Sequence, residues 1–106
     1  MRTIHKYTIP FTDDFTIQLP DGAQPLRAMV QVGQPHLWAI VDPDRKKYPR
    51  HFRLIGTGHP IAEEDFSYLD FVDTIMLEGG ALVFHLFEVR DAGRLAIASS
   101  EKRSAP

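Results

Sequence analysis

The stretch LRAMVQVGQPHLWAIV, residues 26–41, decides the fold class. In its first part, 26–32, an apolar residue falls at every second position, which is the period of a half-buried β-strand. Gly-Gln-Pro at 33–35 supplies turn residues, and the apolar run at 36–41 follows as a second strand. The stretch therefore predicts a β-hairpin and a mainly β protein.

Period-two alternation continues on both sides of this hairpin. Residues 61–66 are suited to a single helical turn, and 66–77 fits either a strand or a short helix. Further strands are predicted at 3–9, 15–19, 51–55 and 81–89. The sequence thus predicts about seven strands in a small, mainly antiparallel barrel or sandwich with at most one short helix.

Composition indicates one soluble domain. A chain of 106 residues has room for one core, and a net charge of -2 predicts no general affinity for long nucleic acid or for membranes. The absence of cysteine excludes disulfides, thiol catalysis and thiolate metal sites. With no signal-peptide pattern and no apolar run of membrane length, we expect a protein that stays soluble where it is made.

The character of the chain changes after Val89. The segment RDAGRLAIASSEKRSAP is small, polar and charged, with Leu95 and Ile97 as its sizeable apolar residues. Such a composition cannot bury enough apolar surface to form a core of its own. We therefore expect a single β domain at 1–89 and a flexible tail at 90–106, disordered or weakly helical.

Five motifs carry a resemblance to a known group of proteins. They are IHKYTIP (4–10), LPDGAQPL (19–26), HLWAIVDPD (36–44), FRLIGTGHPI (52–61) and GGALVFHLFEV (79–89). Together they resemble a family of small hypothetical proteins encoded by bacteriophages and prophages, over roughly residues 2–89. The resemblance implies a phage origin and a location in the host bacterial cytoplasm. It implies no catalytic residues.

The turn Gly56, Thr57, Gly58, His59 is the first candidate site. Glycines expose backbone N–H groups that can hold an anion, Thr57 adds a hydroxyl donor, and a histidine such as His59 can donate to a phosphate or act as an acid or base. The spacing matches neither the dinucleotide-binding fingerprint nor the P-loop. The alternative is a structural corner, in which glycine supplies the backbone conformation and Pro60 holds His59 extended.

A basic cluster is the second candidate. Arg50 and Arg53 follow the loop 42–50, and Trp38 precedes it. Arginine beside an aromatic ring suits a nucleotide, because guanidinium binds phosphate and a ring face stacks on a base. If 36–41 pairs with 51–55, Trp38 and Arg53 lie close together. The alternative is a solvated loop with Trp38 in the core, while Arg53, within a strand, either points to water or meets a buried partner.

Metal binding and acid–base catalysis have weaker signals. The five histidines are His5, His36, His51, His59 and His85. No pair has the spacing of a zinc motif, and a site made of His51, His59 and an acid at 63–65 is not expected. His85 stands in mid-strand, either as a hydrogen-bonded interior histidine or as the lining of a cavity. We expect no metal, no cofactor and no catalytic residue.

Three function classes remain. The first is a small phage accessory or anti-defence protein that sequesters a phosphate-bearing, nucleotide-like signal without turnover, using the turn and the basic cluster. The second is an interaction module that inhibits a host factor or forms a homo-oligomer through an edge strand. The third is a small hydrolase with His59 or His85 as general base, for which the sequence reveals no nucleophile. The sequence favours the first.

Overall fold

The structure is a computed structural model, which describes residues 1–90. The elements are β1 (Thr3–Thr8), β2 (Asp14–Pro20), β3 (Gln24–Gln31), β4 (Gln34–Val41), β5 (Lys47–Gly56), α1 (Glu63–Phe66), β6 (Leu69–Leu77), a 3-10 turn (Glu78–Gly80) and β7 (Leu82–Val89). Within this part of the chain no helix is long and apolar enough to cross a membrane. The predicted tail, 90–106, lies outside the described residues except for Arg90.

The strands form two antiparallel sheets. Sheet A has the order β1-β4-β3, and sheet B has the order β2-β5-β7-β6. The mainly β class and the seven strands are confirmed. Because the two sheets remain separate, the fold is the sandwich of the two predicted forms and not a closed barrel.

The predicted hairpin is confirmed as β3 and β4, which are joined by a two-residue turn. Val32 and Gly33 form this turn with φ of 51° and 75°, a combination typical of type I′. Val32, the last residue of the predicted strand 26–32, lies in the turn instead, and its side chain is 99% exposed.

Strand β5 differs from the prediction in two ways. It begins at Lys47, inside the predicted loop 42–50, because residues 47–50 pair with β2. Pro49 is tolerated there because β7 pairs with β5 only from His51 onward, so this stretch has a neighbour on one side only. In addition, β5 lies between β2 and β7, so 36–41 and 51–55 are not paired.

The ambiguous stretch 66–77 is mostly strand. Strand β6 pairs with β7 and has a register shift between Phe71 and Asp73, where Val72 interrupts the alternation. The helical turn expected at 61–66 is present as α1, with its acidic residues in the first turn. Asp70 is on the exposed part of this strand, and Asp73 directly follows the register shift.

The core lies between the two sheets. In β4 the buried residues alternate with half-buried ones, as the sequence period requires. The largest fully buried apolar side chains are Ile9, Leu19, Leu37, Val41, Phe52, Ile75 and Leu86. Burial of each such side chain contributes about 1.5–3 kcal/mol, so this layer is the main stabilising feature of the fold.

One connection crosses sheet B. Since β7 lies between β5 and β6, residues 57–68, here called the crossover segment, must pass across β7. Phe52 and Leu54 point into the core, so Arg53 between them points to the outer face. The guanidinium of Arg53 contacts Asp65 of α1. The crossover segment therefore lies on the outer face of sheet B.

Candidate functional site

A cavity of about 530 Å³ lies between the crossover segment and the outer side of sheet B. We call it the crossover cavity. It is lined by Asp13, Asp14, Arg53, Leu54, Ile55, His59, Pro60, Ile61, Ala62 and Asp65. The volume falls within the range of small-molecule sites, but the lining is more polar than is usual for them, since five of its ten residues have ionisable side chains.

Arg53 is held on both sides by carboxylates. Its Nε donates to Asp14 Oδ1 at 2.9 Å and its Nη2 to Asp14 Oδ2 at 3.4 Å. Its Nη1 donates to Asp65 Oδ2 at 3.4 Å. The register places Asp14 directly opposite Arg53. Of the two arrangements considered for this strand arginine, the one with internal partners is observed, and its positive charge is compensated.

Asp65 is the most buried polar residue of the cavity wall, at 7% exposure. Its Oδ1 is inaccessible to water and has no hydrogen-bond partner among the residues that the structure describes. A buried acceptor without a donor costs about 1–3 kcal/mol, and more when it is charged. Such an atom is uncommon in a folded protein.

His59 folds back onto the end of β5. Its N–H donates to the carbonyl of Gly56 at 3.1 Å, and a Cβ at Gly56 would lie 3.3 Å from the His59 ring. Gly58 has a φ of +86°, which disfavours other residues. The N–H of Thr57 donates to Val83 at 3.4 Å. The glycines therefore build a corner, and two of the amides considered for anion binding already have acceptors.

His85 lies on the outer face of sheet B, not in the core. Its Nε2 is 2.8 Å from the Thr57 hydroxyl and its Nδ1 is 3.0 Å from the Thr74 hydroxyl. The expectation of a hydrogen-bonded histidine is correct, and the interior position is wrong, because Phe84 and Leu86 take the core side. Thr57 is the hydroxyl that the hydrolase hypothesis lacked, but no carboxylate is recorded at His85 in the described part of the chain.

Arg50 and Trp38 lie away from the crossover cavity. Arg50 binds Glu88 through Nε and, at 2.8 Å, through Nη2, and its Nη1 donates to the carbonyl of Ala23 at 2.8 Å. Trp38 is in sheet A, paired with Lys6 and with Arg27. The structure therefore brings together Arg53 and His59 but neither Arg50 nor Trp38.

The acidic members of the cavity were not selected from the sequence as ligand-binding residues. Asp13 and Asp14 stand 39 or more residues before Arg53, and no local pattern connects them to it. The signal in the sequence that could have linked them is charge complementarity, because Asp14 and Arg53 have opposite charges and each lies on the polar face of an alternating strand. No group of three or more side chains that could hold a metal ion occurs in residues 1–90.

Comparison with known proteins gives one relationship. No curated protein and no solved structure matches the chain. The model of a family described as a domain of unknown function, DUF7352, matches residues 1–96. This match covers every described element of the two sheets, and its description names no phage origin. The chain belongs to the DUF7352 family, a domain of unknown function.

Proposed function

We propose that this domain binds a small molecule in the crossover cavity and releases it chemically unchanged. The observation that carries the proposal is the cavity itself, a space of about 530 Å³ lined by both apolar and charged side chains. Its wall belongs partly to the crossover segment, whose only regular element is the four-residue α1.

The lining favours binding over turnover. No hydroxyl, thiol or amine side chain lines the described cavity, so covalent catalysis has no nucleophile of these types there. Thr57 lines a separate depression. Its partner His85 has hydroxyl partners at both ring nitrogens. A hydrolase would need an additional acid or metal to orient this histidine.

The hypothesis of nucleotide capture in a phage setting rests on the family resemblance carried by the five motifs. Sequestration of a host signal in the bacterial cytoplasm requires affinity and no catalysis. The contacts of Arg50 and Arg53 with carboxylates count against a phosphate as the recognised group. We therefore keep the proposal that the domain binds a ligand without converting it. A phosphate is less favoured as the group that the domain recognises.

An edge strand supports a second candidate, binding of a host protein or of a second copy. Among residues 1–90, strand β1 pairs only with β4, and five of its six residues are exposed. Thr3 and His5 are exposed although they share the strand face of Tyr7, which packs on the core. Such a strand offers free backbone groups to a further strand.

The first proposal is tested by adding small molecules to the ¹⁵N-labelled full chain and mapping amide shifts. Adenosine, ADP-ribose, a cyclic dinucleotide and simple aromatic amines, alcohols and acids form a suitable panel. We expect at least one compound to shift amides at 53–55 and 59–65 and to be recovered unchanged by mass spectrometry.

The substitution Ala62→Phe supplies the decisive variant, because it fills the cavity from an exposed position. Ala81→Phe is the matched control at the neighbouring depression. Binding should be lost in the first variant and kept in the second. Equal affinity of Ala62→Phe and the wild type contradicts the proposal, as does conversion of the compound. Shifts confined to β1 that grow with protein concentration favour the second candidate.

A further inference from the structure

We infer that Thr57 is a nucleophile that accepts an acyl group from an activated ester or thioester and keeps it. The inference goes beyond the proposed function, because Thr57 lines a different depression from the crossover cavity. Three features meet at this place: a hydroxyl in contact with a histidine, a second hydroxyl behind that histidine, and a backbone N–H without an acceptor next to the first hydroxyl.

Thr57 and His85 have the geometry of a nucleophile and its general base. Thr57 Oγ1, just beyond the end of β5, lies 2.8 Å from His85 Nε2. A hydroxyl is a weak nucleophile by itself, and a histidine within about 2.6–3.2 Å can take its proton as it attacks. Thr57 is exposed and lines the depression, so a reagent can approach it from solvent.

Thr74 holds the other side of the imidazole ring. Thr74 lies opposite His85 in the pairing of β6 with β7, and its Oγ1 is 3.0 Å from His85 Nδ1. Two hydroxyl partners fit either tautomer of the ring, and the reactive tautomer has its proton on Nδ1, donated to Thr74. In this tautomer the lone pair of Nε2 faces Thr57, as a general base requires.

The position of Thr74 also explains why the acyl group is kept. In hydrolytic triads a carboxylate behind the histidine stabilises the imidazolium that forms during reaction. The hydroxyl of Thr74 orients the ring but has no negative charge to stabilise it. We therefore expect the transfer of one acyl group to an activated acceptor site, without sustained hydrolysis.

Gly58 supplies a donor for the oxyanion that forms during attack. Its N–H has no acceptor among residues 1–90, whereas those of Thr57 and His59 donate to backbone carbonyls. The φ of +86° at Gly58 makes the turn after Thr57 a sharp one. In enzymes whose nucleophile sits on a sharp turn, the N–H of the next residue stabilises this oxyanion.

The depression beside Thr57 has a volume of about 390 Å³ and includes Leu82, Val83 and Phe84 in its lining. These apolar side chains suit a short acyl chain or an aromatic leaving group. In the reaction, Thr57 Oγ1 bonds to the acyl carbon, and the bond from this carbon to the leaving oxygen or sulfur breaks. The hydroxyl proton passes to His85 Nε2 and then to the leaving group, so atoms and charges balance.

The test treats the full chain with 4-nitrophenyl acetate and follows the acetylation of individual residues by peptide mass spectrometry. General base catalysis should make Thr57 react at least about tenfold faster than Thr12. Thr12 is an internal control, because it is exposed and its hydroxyl donates to a backbone carbonyl. The nitrophenol released by the wild type in excess of that released by Thr57→Val should stop at one equivalent.

His85→Gln is the critical variant, because it removes the base and keeps an amide that can hydrogen-bond to hydroxyls. It should slow the acetylation of Thr57 about tenfold or more and leave that of Thr12 unchanged. His36→Gln, in sheet A, is the matched control and should change neither rate. Urea unfolding of both variants verifies that the fold is retained.

Thr74 is tested as a positioning residue by two substitutions. Thr74→Val keeps the shape of the side chain and removes the hydroxyl, so it should slow the acetylation of Thr57. Thr74→Ser keeps the hydroxyl and should retain the wild-type rate. The opposite order would show that Thr74 acts only through packing and would overturn its role in holding the ring.

The inference is wrong if Thr57 is acetylated no faster than Thr12, or equally fast in His85→Gln. Nitrophenol release that depends on Thr57 and continues beyond one equivalent would also overturn it, because Thr57 would then belong to a hydrolase. None of these results affects binding in the crossover cavity, which is measured separately by amide shifts.

Discussion

Individual residues of this domain adopt conformations that their chemistry does not favour. Val32 is the clearest case, since it is β-branched, fully exposed and has a positive φ. Asparagine or glycine is usual at this position of a type I′ turn, because both tolerate the left-handed region. The hairpin therefore forms because its strands pair, and the turn sequence opposes it locally.

At the residue scale we predict that Val32→Asn stabilises the domain. An ordinary side chain in the left-handed region costs about 1–2 kcal/mol, and asparagine relieves part of it, so a gain of roughly 1 kcal/mol or less is expected. Val32 has no buried surface to lose. Urea unfolding of the variant and of Val32→Thr, which remains β-branched, provides the measurement. A lower midpoint for Val32→Asn than for Val32→Thr would contradict the prediction.

At the scale of elements, polar side chains fix how strands and loops meet. Arg50 connects β5 to Glu88 of β7 and to the carbonyl of Ala23, at the turn before β3. Arg53 connects β5 to β2 and to the crossover segment. Both arginines thus have structural contacts, which explains why a basic pattern in the sequence did not produce a basic site.

The second prediction concerns the pair formed by Arg50 and Glu88, whose side chains are 27% and 18% exposed. Arg50→Ala leaves Glu88 with a poorly solvated charge, so we expect a loss of about 2 kcal/mol in unfolding free energy. Arg50→Lys should recover less than half of it, because lysine cannot form the two-point contact. These losses are measured by urea unfolding.

The control for this pair is Arg90→Ala, which removes a contact with Asp70 at the surface. Exposed pairs contribute between 0 and about 1 kcal/mol, so its effect should be smaller. If Arg50→Ala leaves the midpoint unchanged, Arg50 is not a structural residue, and a role in ligand binding becomes the better explanation.

At the scale of the whole molecule, one side chain connects the two sheets where β3 runs beside β6. Asp73 Oδ2 accepts the N–H of Ala28 at 2.9 Å, across a separation of 45 residues. Both strands have a register shift close to this contact, between Pro25 and Arg27 and between Phe71 and Asp73. The sandwich is therefore joined here by a carboxylate, and the ladder of backbone hydrogen bonds does not continue between the sheets.

The third prediction is that Asp73→Ala destabilises the domain by about 1–3 kcal/mol, because the buried N–H of Ala28 loses its acceptor. Asp73→Asn keeps one acceptor oxygen and should lose about half as much. The unfolding free energies are compared with that of Asp70→Ala, an exposed aspartate of the same strand. A loss in Asp70→Ala as large as in Asp73→Ala would show that the contact between the sheets is not the cause.

Much of the fold follows from local patterns. The alternation in 26–41 and 81–89, the turn residues at 33 and 78–80, and the acids of 63–65 correctly indicated strands, turns and the short helix. Each of these signals depends on a few neighbouring residues, whose preferred backbone conformations and polar faces can be judged without the rest of the chain.

The partners of the strands and the site depended on the tertiary structure. Nothing local indicated that β1 pairs with β4, or that Asp14 lies opposite Arg53. Strand order is decided by the burial of apolar faces summed over the whole sandwich, and the crossover cavity exists only because the connection from β5 to β6 must pass over β7. The sequence by itself determined the pleated elements, while the long-range packing decided which charges meet.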